Sequence, residues 1–321
     1  MTRTTVSAAL GDRYDTRYLI DGSQSVEGFT LEFADVGKHP WFGFREMVTN
    51  LPWDIGEQAL SHYIIARDRG KPLTAIPVFP SYFFPLMGAV VRRDAGIDVP
   101  RDLEGRRVGV MGFGYNPAVW LRGILSRHYG VDTTKIIWVE DDEDRFLGGL
   151  NYPRGTEFRI ERIGAFNSLH EPGSEPGGVA ALEAGKIDAF FAPAGGPPLS
   201  AETKYLFPDR LEACREWYAA TGVFPINTVV TLRTESVEKY PELAPSLFDA
   251  LVAARARYHV ETADPEHLGI PLEFLRAEGL FPSRYDLDAN RMAIEMMLDF
   301  CAEQGVISDR PTADSLFCLN A

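Results

Sequence analysis

No stretch of this chain approaches the roughly 18 to 20 consecutive apolar residues that a membrane-spanning helix requires. Nor does it open with the basic start, apolar core and small-residue cleavage site of a secretory leader. It begins Met1-Thr2-Arg3-Thr4-Thr5, and Val6 to Leu10 is a strand-like run that meets Gly11-Asp12 at once. No lipid-attachment cysteine stands near the start, so the expectation is a soluble, cytoplasmic protein. Cysteine is scarce: Cys214, Cys301 and Cys318 are an odd number without metal-ligand spacing, which excludes a disulfide framework or a zinc knuckle. Positive charge is also short. Against 46 acidic side chains stand 32 basic ones, a formal net charge of −14, so neither nucleic acid nor an anionic membrane is an expected partner. The six histidines show no paired ligand spacing, and the acidic run Glu140 to Asp144 reads as a solvated loop. No metal and no other cofactor is therefore expected. Gly112-x-Gly114 lacks the rest of a dinucleotide fingerprint, and without a Gly-x-Ser-x-Gly elbow acyl-enzyme chemistry has no support.

What is present is the composition of a globular protein of 321 residues, 45% hydrophobic and 24% charged, long enough for two lobes with their own cores. Short apolar runs alternate with helical patterns of about a dozen residues, which predicts a mainly parallel α/β architecture. Strands are expected at 6–10, 29–33, 53–56, 73–79 and 88–91, with helices over 40–48 and 60–69. A second unit starts near Asp102, with strands at 107–111, 136–139, 158–163 and 187–192 and helices over 117–129 and 177–185. Phe224 to Leu232 reads as the return crossing, and 241–260 and 288–304 as helices. Residues 1–100 plus 223–321 thus form one discontinuous lobe and 101–222 the other, with a ligand cleft between them. Met292, Met296 and Met297 give the last helix a face suited to core packing or to a homo-oligomer contact.

Several motifs point further. Gly11-Asp12-Arg13-Tyr14-Asp15-Thr16-Arg17, Ile20-Asp21-Gly22, Ser61-x-Tyr63, Ile76-Pro77-Val78-Phe79-Pro80-Ser81, Ala118 to Leu125 and Thr221 to Ile226 together resemble the 4,5-dihydroxyphthalate decarboxylase family over nearly the whole chain. Asp102 to Val110 is similar to a segment of many solute-binding proteins. The resemblance implies a type 2 periplasmic-binding-protein-like fold and non-oxidative loss of CO2 from a hydroxylated aromatic acid, a small aromatic carboxylate being the expected partner. Where the family pattern carries basic residues after its Phe-Pro-Ser, this chain has Tyr82-Phe83-Phe84. Its Pro-Arg appears here as Pro193-Ala194, and its histidine after Phe-Pro-Ile as Asn227. Each departure removes a cation or a proton carrier, which implies a less charged substrate. Two other readings stay open: a non-catalytic binder of the nitrate, sulfonate and taurine type, and another lyase, such as a dehydratase, on the same frame.

Decarboxylation needs an acid for the ring carbon, partners for the ring hydroxyls and a carboxylate clamp. His62, at a helix start, is the expected acid because imidazole titrates near neutrality, and Glu57 would orient it or take a hydroxyl proton. Asp12, Tyr14 and Arg17 follow the first strand, where Arg17 is the expected clamp. Ser61 and Ser81 would add hydroxyl and backbone donors. Tyr82 would stack on the ring, and Tyr115, Asn116 and Asn227 would complete the cleft from the other side. Trp120 is expected in the core by its spacing with Ile124.

Overall fold

The computed structural model describes residues 3–37, 41–142, 144, 146–164, 177–193 and 195–319. Met1, Thr2, Pro40, Glu143 and Ala194, which entered the sequence reading, lie outside the described residues. The chain opens with β1 (Thr4–Ala9), α1 (Arg17–Ile20), β2 (Phe29–Phe33), α2 (Trp41–Thr49), β3 (Ile55–Ala59), α3 (Leu60–Asp68) and β4 (Leu73–Ala75). It continues through β5 (Ala89–Arg92), β6 (Arg107–Gly109), α4 (Asn116–Arg127), β7 (Ile137–Glu140), β8 (Arg159–Arg162), α5 (Gly177–Glu183), β9 (Ala189–Phe191), β10 (Thr203–Tyr205) and α6 (Arg210–Thr221). It returns as β11 (Thr228–Arg233), α7 (Thr234–Lys239), α8 (Leu243–Glu261), β12 (Glu266–His267), β13 (Ile270–Pro271), α9 (Leu272–Ala277) and α10 (Leu287–Glu303). Among the described residues no helix is long and apolar enough to cross a membrane.

Two sheets carry the architecture. The first has order β2-β1-β3-β11-β4 and the second β10-β5-β9-β6-β7-β8. Strand β1 runs parallel to β2 and β3, while β11 is antiparallel to both β3 and β4. In the second sheet β6, β7, β8 and β9 are parallel, and β5 is antiparallel to β9 and β10. Because β5 pairs within the second sheet, the chain first crosses between residues 76 and 88, before the expected lobe boundary near 101. An isolated strand cannot announce its sheet, since partners 100 residues away decide it.

The two crossings run side by side. Tyr82 bridges Ile226 in antiparallel fashion, with Phe83 N–H donating to Pro225 O at 3.0 Å and Asn227 N–H to Ser81 O at 2.9 Å. The indole of Trp120, buried as expected, donates to Ile226 O at 3.0 Å. Helix α10 then packs on α4 so closely that a Cβ at Gly123 would lie 2.4 Å from the Phe300 ring. Met297 is buried there and Met292 exposed. One expectation fails at β7: Glu140 is buried rather than solvated, 3.1 Å from Arg154 and 3.2 Å from Arg162, and it accepts from Phe113 N–H at 2.9 Å. Asp141 is buried beside it. A run of acids looks solvent-facing by composition, yet arginines 14 and 22 residues downstream give it partners.

Candidate functional site

A cavity of about 730 Å³ lies between the two sheets, within the size range of small-molecule sites. The loop after β1 forms its first wall. Neighbouring β3 sets Glu57 beside that loop, and the Arg13 guanidinium grips it with both terminal nitrogens, Nη1 to Oε2 at 3.0 Å and Nη2 to Oε1 at 2.5 Å. Gly11 N–H adds a third donor at 3.2 Å. Burial opposes the charge on Arg13, but Glu57 overcomes that opposition and holds the guanidinium pKa above its ordinary value. Arg13 lines the cavity, and its buried Nε has no hydrogen-bond partner among the described residues.

Tyr14 follows in the left-handed region at φ 49°, a conformation that costs a non-glycine residue energy unless its surroundings enforce it. Here they do. Its ring stacks on His267 at 4.2 Å, and its hydroxyl accepts from the N–H of Leu268, itself at φ 49°. Behind this wall Asp15 is locked to helix α8, its Oδ2 lying 3.1 Å from Arg255 Nε and accepting from the Tyr285 hydroxyl at 2.5 Å.

The paired crossings make the floor. Ser81 Oγ lies 2.7 Å from Thr228 Oγ1 and accepts from Asn227 Nδ2 at 3.2 Å. From the second sheet's side Asn116, at the start of α4, accepts the Ser61 N–H on its Oδ1 at 3.0 Å, capping α3. Its Nδ2 donates to Ile226 O at 3.3 Å. Opposite stands an aromatic wall: Tyr115 stacks on Phe146 with centroids 5.2 Å apart and planes 11° off parallel, and Trp41 and Phe44 adjoin them on the cavity. Burial pushes the Tyr115 phenol up and keeps it protonated at neutral pH.

Of the residues expected from sequence, Asp12, Tyr14, Arg17, Tyr115, Asn116 and Asn227 line this cavity. The others stand back from it. His62 is fully buried behind the wall, stacked on Phe146 at 5.4 Å and edge-on to Phe44 at 5.7 Å. Neither ring nitrogen has a hydrogen-bond partner among the described residues, and burial pushes its pKa down to about 3, so the imidazole is neutral. Without a path to ligand it does not occupy the position of a direct acid. Glu57 is committed on both oxygens to Arg13 and is not free to orient a histidine or take a proton. Ser61 spends its hydroxyl on Gly114 O at 2.8 Å, and Ser81 lies under the floor. Tyr82 points away, stacked on Phe224 at 5.2 Å and bonded to Asn290 at 3.0 Å, beside a separate hollow of about 200 Å³. Arg17 is half-exposed and 3.8 Å from Asp264.

Arg13 is the residue the sequence reading passed over, although it stands between two that were chosen. Its signal was the acid in the middle of an adjacent parallel strand, Glu57, which a buried arginine needs. Phe146, Thr228, Asp264 and Glu266 also line the cavity and gave no local signal, since distant segments bring them in.

Residues 44–147 match the family model described as NMT1/THI5 like. The chain is 32% identical over 294 residues to a 4,5-dihydroxyphthalate decarboxylase from Comamonas testosteroni, spanning 86% of this chain and 82% of that protein. It is 28% identical over 228 residues to a 4,5-dihydroxyphthalate decarboxylase from Pseudomonas putida, spanning 68% and 83%. Its backbone is similar to that of the periplasmic aliphatic sulphonate binding protein SsuA from Escherichia coli, with a TM-score of 0.53 at 12% identity and 98% of each chain covered. The fold is thus the two-lobed α/β fold of periplasmic binding proteins.

Proposed function

The chain belongs to the 4,5-dihydroxyphthalate decarboxylase family, and we propose that it is a cofactor-independent carboxy-lyase that removes CO2 from a hydroxylated aromatic carboxylate. The observation that supports this most directly is a buried arginine on the same cavity as a stacked aromatic wall. An aromatic acid has a face for the wall and a carboxylate for the donors.

In this reading the carboxylate binds at Arg13, with the Asn227 amide and the Thr228 hydroxyl beside it. The ring lies against Tyr115 and Phe146. A ring hydroxyl conjugated to the reacting carbon pushes electron density onto it, and that carbon takes a proton. The carbon–carbon bond then breaks, its electron pair returns to the ring, and CO2 departs. Tyr115 replaces His62 as the proposed proton donor, because its ring is on the cavity and its hydroxyl makes no hydrogen bond to another described residue. His62 supports the wall from behind.

The test is CO2 release, with ultraviolet spectra, from 4,5-dihydroxyphthalate and a panel of mono- and dicarboxylated phenols. Release from at least one member is expected, with kcat lowered at least about 100-fold in Tyr115→Phe, the range of a lost general acid. Ligand-dependent thermal stabilisation without release from any member would favour a binding protein instead.

A further inference from the structure

The charge inventory of the cavity is unusual for a site that takes an organic anion. Among the described lining residues the cations are Arg13 and Arg17, and the acids are Asp12, Asp264 and Glu266. Arg13 is already matched by Glu57, which is fully engaged on both oxygens. Arg17 is drawn to Asp264 at 3.8 Å. Two cations therefore face four carboxylates, and no lining cation is left uncompensated.

We propose that Glu57 is the specificity-determining residue of this cavity, neutralising Arg13 so that the site accepts an aromatic acid with one carboxylate and rejects one with two. The geometry gives the pair this property. Glu57 occupies the terminal fork of the guanidinium, so Arg13 reaches the cavity wall with its charge already matched. An incoming carboxylate meets the Asn227 amide and the Thr228 hydroxyl with no net positive charge behind them. One carboxylate is satisfied there, since its own charge strengthens the hydrogen bonds it takes from the floor amides and hydroxyl. A second carboxylate on the same ring would be desolvated with no cation of its own and would face the acids of the rim. The same pairing explains why Glu57 is buried and why it reaches across from the neighbouring strand.

The inference rests on the reading of the cavity as an aromatic-carboxylate site, and equilibrium binding separates the two. The probes are 3,4-dihydroxybenzoate and 4,5-dihydroxyphthalate, which differ by one carboxylate, titrated calorimetrically at pH 7.5. The wild type is expected to prefer the monocarboxylate. Glu57→Gln, which uncovers the Arg13 charge, shifts the ratio of the two affinities toward the dicarboxylate by about 10-fold, the worth of one charge-assisted bond. The double variant Arg13→Gln with Glu57→Gln restores a neutral wall and returns the ratio to the wild-type value while weakening both ligands. Should Glu57→Gln not fold, Glu57→Asp withdraws the carboxylate by one methylene, loosens its grip on Arg13 and moves the ratio the same way, by about threefold. An unchanged ratio in the single variants, or an equal shift in the double variant, overturns the role of Glu57. A shifted ratio in a protein that releases no CO2 upholds this role and overturns only the decarboxylase reading, while binding of neither ligand to the wild type overturns both.

Discussion

His62 offers a sharp thermodynamic test, because an imidazole buried with no hydrogen-bond partner among the described residues favours its neutral form in the folded protein. Its pKa is pushed down to about 3 in the native state, against about 6.5 in the unfolded chain. Between those values the unfolded state binds the extra proton, so stability is intact above pH 6.5 and falls as the pH drops toward 3. At pH 5.0 the loss from this one group is about 2 kcal/mol, and at pH 7.5 it is close to zero. That figure is set by the unfolded imidazole, since the native one carries almost no charge at either pH. The perturbation is His62→Phe, which keeps an aromatic ring against Phe44 and Phe146. His259 and His267 are also pushed down by burial, so the wild-type slope alone is not diagnostic. The assay is urea unfolding of both proteins at pH 7.5 and 5.0. The variant is expected to lose about 2 kcal/mol less than the wild type between the two pH values, whatever its baseline stability. Equal losses in both would show that His62 is hydrated or paired, and the case against its direct catalytic use would collapse.

Other perturbations probe the site and its frame. Arg13→Lys keeps the charge opposite Glu57 but removes the two-pronged grip that sets this wall, so kcat/KM for the preferred substrate should drop about 100-fold in steady-state assays. Gly269→Ala places a Cβ 2.6 Å from Gly195 Cα at a position with φ 79°. Both glycines line the cavity, so ligand affinity by calorimetry should weaken about tenfold. Gly123→Ala drives a methyl group into Phe300 between α4 and α10 and should cost about 1 to 3 kcal/mol in urea unfolding. Carboxylate affinity per folded molecule should change little.

Local periodicity carried much of the frame. Alternation in Phe29 to Phe33 marks β2 with the bounds that the structure gives it, and the spacing behind α8 and α10 is strong enough to place both within a few residues. Helix α6 escaped notice although Asp209 caps it and Gly222 ends it at φ 67°, because only Ala213, Cys214 and Trp217 along it are buried. A helix whose apolar stripe is three residues wide gives periodicity little to find. In the site, position after a strand was legible, and so Asp12, Tyr14, Arg17, Tyr115 and Asn116 were. Direction was not. His62 and Tyr82 turn inward because Phe146 and Phe224 wait for them from other segments, and nothing local to residues 62 or 82 records that.

The amide of Ser61 belongs to a helix that rises from the first sheet, but the oxygen it binds is on Asn116, at the head of a helix that rises from the second. Any excursion that parts the sheets far enough to admit a ligand from the side must also pull that cap off α3. The Ser61 amide is therefore a gauge fitted to the molecule itself. Its rate of exchange with deuterated solvent counts how often the cleft gapes, and a ligand that holds the two halves together should silence it.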